Sequence, residues 1–70
     1  MLYMRFFLIS DNVDTRTGMR LAGIEGVVVH EREEIEEALR TAVRDESVGI
    51  ILITELLAQR ADDLIREYRL

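Results

Sequence analysis

Hydrophobic positions along this chain switch between two spacings. From Tyr3 to Ile9 aromatic and branched residues run together and stop at the polar cluster Ser10-Asp11-Asn12. A second short run, Val27-Val28-Val29, is entered from Gly26, and a third, Val48-Gly49-Ile50-Ile51-Leu52-Ile53, is apolar without alternation. A run of that kind predicts a strand buried on both faces, as in a parallel sheet covered by helices on each side. Between the runs, Ile35, Ala38, Leu39, Ala42 and Val43 fall at helical intervals and form one stripe. Glu31, Glu33 and Glu34 crowd the start of that helix, and Arg40 and Arg44 stand near its end, an order that complements the helix dipole. A second stripe, Leu57, Ala61, Leu64, Ile65 and Tyr68, predicts a C-terminal helix with Thr54 as its N-cap. Asp14 to Ala22 reads as a shorter helix capped by Asp14 or Thr15, with Gly23 where a left-handed residue is wanted.

The order is β-α-β-α-β-α. Alternating strands and helices with right-handed crossovers give a parallel sheet, here in strand order 2-1-3, with the helices divided between its faces. The expectation is a small three-layer α/β/α fold, a single domain over residues 1–70, with no linker, repeat or low-complexity tract.

Composition removes several functions. With 70 residues only a small core is available, and a deep substrate cavity beside it is not expected. There is no cysteine, hence no disulfide framework and no thiolate metal site. All nine basic residues are arginine, so neither a Schiff-base lysine nor a phosphate-loop lysine exists. The net charge of -5 argues against a nucleic-acid partner, which needs a concentrated basic face. Arg5 interrupts the first apolar run and no run approaches about 20 residues, so neither a secretory signal nor direct membrane insertion is expected.

In an open parallel sheet, ligands bind beyond the carboxyl ends of the strands. Ser10, Asp11, Asn12 and Asp14 follow the first strand there, and Thr54 and Glu55 follow the third. Asp11 with Asp14 could hold magnesium. A phosphoacceptor receiver, however, also wants an aspartate ending the third strand and a later lysine, and Ile53-Thr54-Glu55 offers neither. The plain reading is a turn and a helix cap. A dinucleotide site would need glycines where Ser10-Asp11-Asn12-Val13-Asp14 places two carboxylates. His30 has no second histidine or cysteine with which to share a metal. No catalytic residue, cofactor or metal ligand is expected. A signalling or ligand-binding α/β module, or a small magnesium-dependent phosphohydrolase using Asp11 and Asp14, are the alternatives these residues leave.

Ser10-Asp11, Asp14-Thr15 and Gly18-Met19-Arg20-Leu21-Ala22-Gly23-Ile24, followed by Glu33-Glu34, Ala38-Leu39 and Val48-Gly49-Ile50-Ile51-Leu52-Ile53-Thr54-Glu55, resemble the F subunit of the archaeal- and vacuolar-type (A-type and V-type) rotary ATPases and ATP synthases. The resemblance implies a CheY-like, truncated flavodoxin-like domain. It implies a non-catalytic part of the central stalk, binding the coiled-coil D subunit, turning inside the catalytic hexamer and helping couple ATP synthesis or hydrolysis to proton or sodium transport. It implies a cytoplasmic location, peripheral to the membrane through the complex. Gly18, Met19, Arg20 and Leu21 are then the expected partner interface, with Arg20 reaching a carboxylate on the neighbouring stalk protein. Family members continue into a fourth, proline-containing strand and a C-terminal helix that these residues do not contain, so a truncated or short divergent form is expected.

Without a fourth strand, the third run lies at an open edge. Val48, Ile50, Ile51 and Leu52 carry no charge and no proline to protect it. A homodimer through that edge is expected.

Overall fold

The computed structural model describes residues 4–68. The start of the first predicted strand at Tyr3 and the ends of the predicted domain lie outside them. Strands β1 (Arg5–Ser10), β2 (Glu25–Val28) and β3 (Val48–Ile53) alternate with helices α1 (Val13–Leu21), α2 (Arg32–Arg44), α3 (Glu55–Arg60) and α4 (Asp62–Glu67). The sheet is parallel with β1 central, in the order β2-β1-β3. The fold is the expected small α/β one.

The core is a cluster of Ile9, Val29, Ile35, Leu39, Leu57, Ala61 and Leu64, with Phe7, Ile51 and Ile53 packed against it. It joins the sheet to α2, α3 and α4. Neighbouring strand residues point to opposite faces, and Leu8 is as buried as Ile9, so both faces are covered at that level. The cover opposite the core is α1, which packs on β2 and β1. It does not extend over the rest. Met4, just before β1, Phe6 in its leading half and Ile50 on β3 remain exposed.

This corrects the expectation that the third strand is buried on both faces. Gly49 and Ile50 are exposed and Leu52 is half-buried, because the helix opposite the core lies over the other edge of the sheet. The α2 stripe turns Ile35, Leu39 and Ala42 inward, whereas Val43, at its margin, faces outward. The C-terminal stripe does not form one helix. It breaks at Ala61 (φ -118°, ψ 28°), and Tyr68 beyond the break is exposed. Asp62 and Asp63 explain the break: two carboxylates are unfavourable near a helix C-terminus and favourable in the first turn of a new helix.

Gly26 has a steric reason to be glycine. A Cβ there would stand 2.7 Å from both the Cβ and the carbonyl oxygen of Leu8 in the neighbouring strand.

One arginine ties the leading ends of all three strands together. Arg5 donates from Nε to Ser47 Oγ (2.8 Å), from Nη2 to Asp45 Oδ2 (2.6 Å) and from Nη1 to Glu25 Oε2 (3.3 Å). Asp45 also accepts from the hydroxyl and backbone N–H of Ser47, and these bonds, with Arg5, hold its carboxyl below the usual carboxylate range. Asp63 is lowered by its pairing with Arg32, and Glu34 by the backbone N–H groups of Glu31 and His30. For carboxyls depressed in the folded state, the stabilisation is complete above the unfolded pKa and is lost as pH falls through the folded one. Urea midpoints should therefore hold between pH 7 and 5 and drop below about pH 4. Asp45→Asn should flatten part of that drop. An equal midpoint at about pH 3 and pH 7 would contradict it.

Candidate functional site

At the carboxyl edge of the sheet, the polar groups are engaged with one another. Ser10 is fully buried, and its hydroxyl accepts from Asn12 N (3.0 Å) and donates to Asn12 O (3.1 Å). Asn12 caps α1, its Oδ1 accepting from Thr15 N at 3.1 Å. The expected cap, Asp14 or Thr15, is thus corrected to Asn12. Its extended backbone (φ -120°, ψ 122°) aims the amide at the free N–H groups of the first turn, whereas Asp14 and Thr15 are already helical.

Thr54 does stand at the N-cap of α3, but its side chain makes no capping bond. The hydroxyl instead donates to Asp11 Oδ1 (2.7 Å) and accepts from Asp11 N (3.4 Å). The loops after β1 and β3 are thereby stapled across the crevice where an α/β sheet would receive a ligand. Asp14 is exposed nearby. No group of three or more His, Cys, Asp or Glu side chains among the described residues could hold a metal ion. His30 is exposed, and its backbone N–H serves Glu34.

The segment Gly18 to Ile24 ends α1. Met19 O accepts from Ala22 N and Ile24 N (3.0 and 2.9 Å), and Arg20 O accepts from Gly23 N (2.9 Å). Gly23 has φ 85°, the left-handed region that lets the chain leave the helix. Gly18 has no such reason, because a Cβ there would meet nothing within 4 Å. Met19 is half-buried and faces the sheet side, while Val13, Thr17 and Leu21 recur at four-residue intervals on the outer face. Leu21 is 86% exposed. Arg20 flanks this face on one side and Gly18 on the other. The outer surface of α1 therefore combines apolar side chains, an exposed arginine and a bare stretch of backbone.

A second feature was not anticipated from the sequence. An open groove of about 500 Å³ runs between β2 and α2. Phe7, Val27, Val29 and Ala38 form its apolar floor, and Glu33, Glu34 and Glu37 its rim, with Thr41 at one end. Its cause is local: the α2 side chains facing β2 are the small Ala38 and Thr41, which leave the gap unfilled. The signal was the Glu33–Glu37 repeat beside a small residue within the apolar stripe.

The family described as ATP synthase (F/14-kDa) subunit matches residues 7–70. The chain is similar to the F subunit of the A-type ATP synthase of Pyrococcus abyssi, at 46% identity over 66 residues, covering 87% of this chain and 63% of the relative. It is 42% identical to that of Methanothermobacter thermautotrophicus over 55 residues, covering 77% of this chain and 51% of the relative. To that of Thermococcus sibiricus it is 38% identical over 64 residues, covering 84% and 62%. The chain spans between about half and just under two thirds of the length of these curated relatives.

Proposed function

Since the chain belongs to the family of the ATP synthase (F/14-kDa) subunit, we propose that it acts as a non-catalytic central-stalk component of an A/V-type ATP synthase or ATPase. In this reading it holds the coiled-coil D subunit, turns with it inside the catalytic hexamer, and helps couple ATP turnover to proton or sodium transport. Nucleotide chemistry belongs to other parts of the complex. The protein is cytoplasmic and attached to the membrane through that complex. No helix among the described residues is long and apolar enough to cross a membrane.

The observation that carries this reading is the outer face of α1. A glycine inside an exposed helix costs about 0.5–1 kcal/mol relative to alanine, and nothing in the chain's own packing requires it at Gly18. Close approach by another backbone supplies the reason. Leu21 offers apolar area beside it, and Arg20 a guanidinium suited to a carboxylate across the interface.

Two substitutions test this against the purified D subunit. Gly18→Ala is expected to stabilise the isolated chain by about 0.5–1 kcal/mol while weakening the complex. Arg20→Glu is expected to weaken it by about tenfold or more, by reversing a charge at the contact. Calorimetry giving unchanged affinity for both variants would remove α1 from the interface. No binding of the unaltered chain would remove the stalk role itself.

A further inference from the structure

The groove between β2 and α2 faces away from α1, in the layer that α2, α3 and α4 build on the other side of the sheet. Within that layer α2 lies over β1 and β3. On that face Val27 of β2 and Phe7 of β1 are therefore left half-buried beside α2, while Val29, just past the end of β2, closes the groove against the core. Helices packed on a sheet lie about 8–10 Å apart, side by side. The groove is an empty place for one more.

The groove also defines what would fit. Its floor is apolar, so the occupant presents an apolar row. Its rim carries Glu33 and Glu37, one turn apart on the same flank of α2. Glu37 is engaged by Arg40 at 2.8 Å, whereas Glu33 has no ion pair among the described residues. Glu34 is committed to the start of α2, where its carboxylate accepts from the backbone of Glu31 and His30. With a net charge of -5 over the chain, an acidic partner would be repelled and a basic one drawn in.

We propose that this groove is a docking site for an amphipathic partner helix whose apolar row is flanked by lysine or arginine. The apolar row fills the gap left by Ala38 and Thr41, and the flanking cations pair with Glu33 and Glu37, as charged flanks do between adjacent helices of a coiled coil. An extended peptide adding to the outer edge of β2 would satisfy that edge but leave the floor of Phe7 and Val27 open, so a helix is the occupant the shape favours. The site is separate from the outer face of α1 and does not depend on the stalk assignment.

The test uses the whole chain and two synthetic helical peptides of about 18 residues, five turns. Both carry the same leucine row, flanked in one by lysines and in the other by glutamates. The lysine-flanked peptide is expected to bind and to shift the amide resonances of Val27, Val29, Ala38 and Thr41. The glutamate-flanked peptide should bind at least about tenfold more weakly. The double variant Glu33→Lys/Glu37→Lys, altered only on exposed positions, should reverse that preference. Ala38→Leu, which fills the gap, should reduce binding of the lysine peptide by about tenfold or more. If that variant unfolds, the charge-reversal arm still decides. Equal binding of both peptides, a preference that survives the double reversal, resonance shifts confined to Met4, Phe6 and Ile50 or to Val13 and Leu21, or no binding at all would each overturn the proposal.

Discussion

Leu57→Ala is expected to bring the chain close to unfolding. Leu57 is the single buried residue of α3, fully enclosed among Ile9, Ile35, Leu39, Ala61 and Leu64. Truncating a buried leucine costs about 2.7–5 kcal/mol, through lost transfer energy and the cavity left behind. At about 0.05–0.15 kcal/mol per residue, a chain of this length has only some 3.5–10 kcal/mol of stability in total. Leu57 is the one buried side chain within α3 itself, and with Thr54 and Ala61 held at the two ends the helix moves little to close the cavity. The neighbouring Leu56→Ala is the control. Leu56 is largely exposed, and its loss should stay within about 0.5 kcal/mol. Each kcal/mol moves the melting temperature of so small a domain by about 4–8 °C, so the two variants should melt more than 10 °C apart, roughly. Coincident transitions would mean that α3 contributes little to the fold.

Self-association through β3 is the second large effect expected. Among the described residues β3 pairs with β1 alone. Thr54 N donates to Ile9 O, so by alternation the N–H groups of Ile51 and Ile53 point to the open edge. Beside that edge lies the uncovered part of the sheet, with Met4 65%, Phe6 44% and Ile50 48% exposed. Two chains meeting edge to edge about a two-fold axis would pair several backbone groups and cover Ile50 and Leu52. Light scattering over a concentration series should rise from the mass of one chain to that of two. Ile51→Pro, which removes an outward N–H and no bond to β1, should suppress the rise. A constant monomer mass at high concentration, with rapid amide exchange at Ile51 and Ile53, would show the edge to be stable as it stands.

The parts of the fold legible in the sequence are those where one physical cue dominates. Val48 to Ile53 is an unbroken apolar run between polar residues, and β3 has those same bounds. Gly23 was readable because a helix end needs a positive φ. Where two cues competed, the weaker one decided. The apolar stripe from Leu57 to Tyr68 spoke for one helix, yet Asp62 and Asp63 restart it, and the periodicity conceals this because the stripe continues across the break. Thr54 has the chemistry of a cap, but the partner it takes, Asp11, lies 43 positions away in sequence. The groove was illegible for a related reason: an empty space is made by small residues on one element and large ones on another, and only the register of α2 over the sheet brings them together.

The bonds of Arg5 at one end of β1 and of Asp11 at the other also have a mechanical consequence. The central strand is fastened to β3 at both ends, through Ser47 and Asp45 below and Thr54 above. A force along β1 would load these fastenings and the intervening ladder together, in shear, instead of peeling one bond at a time. A force across the sheet would meet no such resistance at β2, which Arg5 reaches only through its long contact to Glu25. The domain is therefore stiff in one direction and yielding in another, and it bears a load best when gripped along its central strand.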